Sequence, residues 1–157
     1  MIPKVIISLI LSFVLLSCDR GEREIIIAPR NYTGYILVIF NQENGQPIKY
    51  LGKKRVYEIP RDGVLKTQFN INGGWSDYPE FFYEEVNKEN RIPSSILSEI
   101  DNLPLDTIVG FFGATGSIRI NDHGEERIRF AKYYIGTRFD IKRAEEEADK
   151  LDILKLK

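Results

Sequence analysis

Tyr35-Ile-Leu-Val-Ile-Phe40 is an unbroken run of six apolar residues, and the architecture follows from what has to cover it. A half-exposed strand alternates apolar and polar residues, whereas a continuous apolar run suits a strand covered on both faces. The segment therefore predicts a central strand with other structure packed above and below it. Upstream, Glu24 to Ala28 is a short β-branched strand ended by Pro29. Downstream, Asn41 to Pro47 carries Asn44-Gly45 at its heart, and both residues tolerate positive φ, so the chain turns there.

The remaining segments read mostly as strands. Arg55 to Ile59 is strand-like and ends at Pro60. Arg61-Asp62-Gly63 then leads into Val64 to Phe69, where Leu65, Thr67 and Phe69 share one side, which predicts a β-hairpin. Phe81 to Val86 is a further strand. Pro93 opens a short helix through Asp101, since proline is tolerated in a first turn and Ile96, Leu97 and Ile100 fall at helical spacing. Thr107 to Phe112, Ser117 to Ile120 and Arg127 to Ile135 complete the β content, the last two joined through Asn121-Asp122-His123-Gly124. Thr137-Arg138-Phe139-Asp140 resembles a capping box and starts a helix near Arg138. Ile141, Ala144, Ala148 and Leu151 give that helix one apolar stripe to lay on the sheet. The expected class is mainly β (α+β): an antiparallel, sandwich-like domain with one short internal helix and a C-terminal helix.

The first residues have a different logic. Lys4 supplies a positive charge, Val5 to Leu16 a hydrophobic stretch, and Leu15-Leu16-Ser17-Cys18 a small residue before a cysteine. Twelve residues at helical rise span only ~18 Å, short of the ~30 Å hydrocarbon core, so the stretch is a poor permanent span. Cys18 is the only cysteine, so no intrachain disulfide staples the fold. Leu15 to Cys18 resembles the lipobox of bacterial lipoproteins. That resemblance implies cleavage before Cys18 and a thioether-linked diacylglyceride on its sulfur, with palmitate-type chains holding the protein on a membrane. The plainer alternative is a free thiol beyond an ordinary secretory cleavage site. On this reading residues 1–17 are a signal peptide and 18–23 are the acylated cysteine with a charged tether. Residues 24–157 are then one globular β-rich domain. Asp19 leaves the membrane open, because one sorting rule places it at the inner membrane and another accompanies surface export. The location is thus the cell envelope, periplasmic or surface-facing.

Charge and chemistry exclude more than they assign. Of 157 residues, 22 are Lys or Arg and 23 are Asp or Glu, a net charge of −1 that offers nothing to nucleic acid. The single histidine, His123, sits in a turn, a poor support for a general base. Ser117, Asp122 and His123 lack the strand-to-helix elbow that a nucleophilic serine needs. Gly110 to Gly116 has glycine every third residue but neither the lysine nor the following helix of a phosphate loop, so it reads as a bulged strand or tight turn. With one His and one Cys, no metal site and no cofactor is expected. The acidic runs Glu84-Glu85 and Glu145-Glu146-Glu147 read as solvated faces. Trp75-Ser-Asp-Tyr-Pro-Glu-Phe-Phe-Tyr83 is the richest aromatic stretch. If exposed, Trp75, Tyr78, Phe81 and Tyr83 form a platform for a protein, peptide or glycan ligand. The alternative is that they are half of a sheet's core.

Taken together, Pro29-Arg-Asn-Tyr-Thr-Gly34, Phe40-Asn41, Gly45-Gln-Pro47, Arg55-Val-Tyr57, Ile59-Pro-Arg-Asp-Gly-Val-Leu-Lys-Thr-Gln-Phe69 and Phe82-Tyr83 through Arg91-Ile92 carry a family resemblance. The chain resembles the domain-of-unknown-function family 6843, which implies a bacterial lipoprotein or other envelope protein. The resemblance supplies no activity, cofactor or catalytic residue. The leading expectation is a lipid-anchored, non-catalytic binding or structural module with no pocket of convergent polar groups. The alternatives are an immunity-type protein that masks a toxin or enzyme, and a hydrolase. The non-catalytic reading gives way if a deep cleft gathers carboxylates and Arg91 or Arg129 with strongly shifted pKa values.

Overall fold

The computed structural model describes residues 21–73, 77–121 and 124–156. Among the described residues ten strands form two five-stranded sheets. The first sheet has the order β3(Tyr50–Leu51), β4(Lys54–Glu58), β1(Arg23–Ala28), β6(Glu80–Tyr83), β7(Arg91–Ile92). The second has the order β5(Val64–Lys66), β2(Gly34–Ile39), β10(Arg127–Gly136), β9(Val109–Arg119), β8(Ser94–Ser95).

Strand β2 holds the decisive apolar run, and both of its faces are covered as the run predicts. Ile36 and Val38 face the first sheet in a core shared with Ile26, Tyr57, Phe81 and Tyr133. Leu37 and Ile39 face the other way, against Ile128 and Ile153. The first sheet covers one side of the second, and the C-terminal chain covers the other. Helix α2(Arg138–Asp149) buries Ile141, Ala144 and Ala148 against Val109, Phe111 and Tyr134. Its capping box is complete: Thr137 Oγ1 accepts from Asp140 N, and Asp140 Oδ2 accepts from Thr137 N. The helix ends at Asp149, so Leu151 packs instead with Leu37 and Ile39, near the short helix α3(Ile153–Leu156).

The sandwich-like β class holds, but the sheets are mixed rather than antiparallel. β1 pairs in parallel with β4 and β6, β2 with β5, and β8 with β9. Connectivity is the physical reason. A tight turn returns the chain antiparallel, whereas a chain that crosses to the other sheet and comes back arrives in its original direction. The expected hairpin between Arg55–Ile59 and Val64–Phe69 is corrected on the same ground. The turn exists, with Gly63 at φ 77 and Val64 N donating to Asp62 Oδ1. It passes the chain from β4 in one sheet to β5 in the other.

Two further expectations change. The helix expected from Pro93 to Asp101 is confined to α1(Leu97–Ile100), because Ser94 and Ser95 pair with Gly110 and Phe111 as an edge strand. The two strands expected at Thr107 to Phe112 and Ser117 to Ile120 are one strand, β9(Val109–Arg119), while the bulged-strand reading of Gly110 to Gly116 holds, with the register shift opposite Lys132 and Tyr133. The glycine spacing has a steric cause. A Cβ on Gly110, Gly113 or Gly116 would overlap the ring of Phe81, Tyr134 or Phe130 respectively. Each glycine makes room for one aromatic ring.

Candidate functional site

Glu24 alternates with Ile26 and Ala28 on β1, so the strand's two-residue period turns its carboxylate toward the second sheet. It is 5% exposed. Three donors converge on it. Tyr133 Oη, from β10 in the opposite sheet, donates to Oε2 at 2.8 Å. Asn72 Nδ2 donates to Oε1 at 2.9 Å, and Tyr57 Oη, from β4, donates to Oε1 at 3.3 Å. Asn72 also accepts from Glu22 N and donates to Glu22 O, which fixes its amide. Glu22 and Arg23, placed in the tether by the sequence reading, are thus engaged by the fold, Arg23 in register with Lys54.

Arg55 stands close by. Its guanidinium bonds the Glu22 carboxylate and the Asn70 carbonyl and lies 4.8 Å from the Phe69 ring centroid. Burial pushes the Glu24 carboxyl above the usual carboxylate range. The hydrogen bonds from Asn72, Tyr133 and Tyr57, and the Arg55 charge, pull it back only in part. Burial and the Glu24 charge raise the Tyr133 and Tyr57 hydroxyls. Both tyrosines therefore keep their protons and act as donors.

Glu24, Asn72 and Tyr133 form the floor of a cleft of about 600 Å³ between the sheets, within the ~300–1,000 Å³ range of small-molecule sites. Phe40, Phe112 and Ala131 wall it. Asp77, Tyr78 and Thr115, all exposed, stand at the mouth. Among the described residues that line it there is no lysine, arginine or histidine.

Of the residues singled out from sequence, Cys18 and Trp75 lie outside the described residues, as do Asp122 and His123. Tyr78 is 64% exposed and borders the cleft. Phe81 is corrected from surface to core. It is fully buried, in register with Ile26 and edge-on to Tyr133 at 6.3 Å, because its place in β6 turns it inward. Tyr83 is half-buried, and its hydroxyl donates to the Tyr32 carbonyl. The segment is therefore no continuous aromatic platform. Arg91 is exposed on edge strand β7, and Arg129 lines a separate cavity of about 280 Å³. The expectation of no pocket with convergent polar groups is overturned by Glu24, Asn72 and Tyr133. Sequence reasoning missed these residues and Tyr57. The available signal was an acidic residue in phase with Ile26 and Ala28, on a face otherwise destined for the core.

The family model for DUF6843 matches residues 20–140, most of the chain. The chain belongs to this family of unknown function. The DUF6843 match spans both sheets and reaches the start of α2, so it includes every residue on the cleft floor. No curated protein matches the chain. Among solved structures, a crystal structure described as a "Putative Lipoprotein from Bacillus anthracis" superposes with a TM-score of 0.50 at 19% identity. The match covers 79% of this chain and 77% of that one. At that identity the likeness shows that the DUF6843 fold is shared, and nothing about what the cleft holds. Among the described residues no helix is long and apolar enough to cross a membrane, and no three His, Cys, Asp or Glu residues group as metal ligands.

Proposed function

We propose that the protein is a lipid-anchored, non-catalytic binding module of the bacterial cell envelope that takes a small organic ligand between its two sheets. The cleft carries this reading. It is large enough for a small molecule, its walls are apolar, and its few polar groups are locked in place by one another. The same locking argues against turnover. Glu24 is held by three donors, and burial and the Glu24 charge hold the proton on Tyr133, the one lining hydroxyl bonded to it. The lipid attachment is supported by Leu15-Leu16-Ser17-Cys18 and by the description of the Bacillus anthracis protein.

The two halves of the proposal have separate tests. Palmitate labelling and membrane fractionation of wild type and Cys18→Ser test the anchor. Labelled, membrane-bound wild type beside unlabelled, released variant is expected, and equal behaviour overturns it. For the cleft, the ¹⁵N-labelled full chain in a sugar-based detergent is titrated with the neutral probe 2-phenylethanol. Shifts at the Thr115 and Ala131 amides that are absent from Thr115→Trp are expected. The cleft reading fails if no small aromatic probe shifts these amides.

A further inference from the structure

Resting on the cleft reading, we infer that the ligand is an organic ammonium ion: a protonated amine carried on an apolar or aromatic body, with its N–H groups on Glu24 Oε2. The inference follows from which hydrogen-bonding capacity the cleft floor leaves over. A carboxylate has room for about four donors. Glu24 Oε1 already takes two, from Asn72 and Tyr57, and Oε2 takes one, from Tyr133. The position left open on Oε2 is an acceptor. Both Asn72 amide hydrogens are spent, on Glu22 O and on Glu24, and its oxygen accepts from Glu22 N. The Tyr133 hydroxyl proton is spent as well, so this group too can only accept. With Glu24 ionised, the floor therefore accepts hydrogen bonds and has none to give.

A ligand seated there has to bring donors. Three donor classes are available: hydroxyl, amide and ammonium. Charge decides among them. The floor carries a carboxylate, and no described lining residue carries a positive charge. Arg55 is directed to Glu22 and Asn70 and does not line the cleft. A charge-assisted bond from N⁺–H to a carboxylate is roughly twice as strong as a neutral one, and at a carboxylate only 5% exposed its advantage over a hydroxyl grows. The walls add to this selection. Tyr133 and Phe112 present rings beside the floor, with centroids 5.4 Å apart, and aromatic faces attract cations. Phe40 and Ala131 favour an apolar body behind the charged head. An anion of the same shape would meet a buried carboxylate with no donor on the floor to receive it, so it is disfavoured.

The test is a charge series on one skeleton. 2-Phenylethylammonium, 2-phenylethanol and 3-phenylpropionate are each titrated into the ¹⁵N-labelled full chain in sugar-based detergent, and amide shifts at Thr115, Ala131 and Tyr133 are followed. The ammonium is expected to bind at least tenfold more tightly than the alcohol, and the carboxylate not at all. Glu24→Gln, which keeps the side chain's shape, is expected to erase the difference between ammonium and alcohol. The wild-type series decides the matter even if that variant does not fold. Equal or tighter binding of the alcohol or the carboxylate overturns the ammonium assignment and leaves the cleft reading standing. Failure of all three probes to shift these amides overturns both. Shifts that persist in Thr115→Trp place the probes elsewhere and also overturn both.

Discussion

Tyr133 Oη donates to Glu24 Oε2 at 2.8 Å, joining β10 of one sheet to β1 of the other at the floor of the cleft. The two residues are 109 positions apart in the chain, so the bond closes only when both sheets have formed and docked. It serves stability and site geometry together, because the atom it orients is the one we assign to ligand.

Removing the donor shows its weight. Tyr133→Phe leaves a buried carboxylate oxygen without its described partner, an omission that costs about 1–3 kcal/mol. Tyr57→Phe should cost less, about 0.5–1.5 kcal/mol, because its bond is longer at 3.3 Å and Oε1 keeps Asn72. Urea denaturation of both variants checks the order, and an equal or reversed loss contradicts it.

The raised Glu24 pKa fixes the sign of a pH effect. The folded state holds this proton more tightly than the unfolded chain, whose carboxyl titrates near 4.5. Glu24's contribution to stability is therefore complete below that value and is lost as pH rises from it through the raised folded-state pKa. Glu24→Gln abolishes this contribution while every other carboxylate titrates as before. The difference in urea midpoint between wild type and variant should thus move against wild type as pH climbs through that window. A difference that is flat, or that moves toward wild type, contradicts the assignment.

The glycines of β9 are predicted to differ among themselves. Gly110→Ala drives a methyl group into Phe81, a ring fixed in the middle of the inter-sheet core, and overpacking of this kind costs about 1–3 kcal/mol. Gly116→Ala meets Phe130, which is half-buried and can swing aside, so its cost should stay below about 1 kcal/mol. Thermal unfolding of the two variants measures the contrast.

At the start of α2, Thr137→Ala removes the side chain that accepts from Asp140 N, and loss of such a cap costs about 1 kcal/mol. Amide exchange should rise first in the opening turn, while the core strands stay protected. Uniform exchange across the sheets would show that the cap governs global rather than local opening.

Local patterns made much of the fold legible. The run at Tyr35 to Phe40 announced a strand covered on both faces, and Thr137 to Asp140 announced a capped helix, because both are short-range effects of burial and backbone hydrogen bonding. Strand direction was not legible. Whether the turn at Asp62-Gly63 closes a hairpin or changes sheets depends on what Leu65 and Val64 find to pack against, which lies far away in sequence. The same holds for Ser94-Ser95, which pair because β9 has an edge to offer, against their helical surroundings. The cleft was least visible. Its floor draws Glu24, Asn72 and Tyr133, with Tyr57 bonded behind Glu24, from four separate segments, and no spacing rule links them. Only Glu24, charged yet in phase with Ile26 and Ala28, carried a local signal, and it went unread while the aromatic stretch ending at Tyr83 drew notice in its place.

The most direct test of the central claim is the amide shift map of the ¹⁵N-labelled full chain titrated with 2-phenylethylammonium. The predicted result is a set of shifts centred on Glu24, Thr115, Ala131 and Tyr133 that disappears in Thr115→Trp. Shifts confined to any other part of the molecule, or none at all at millimolar probe, would contradict it.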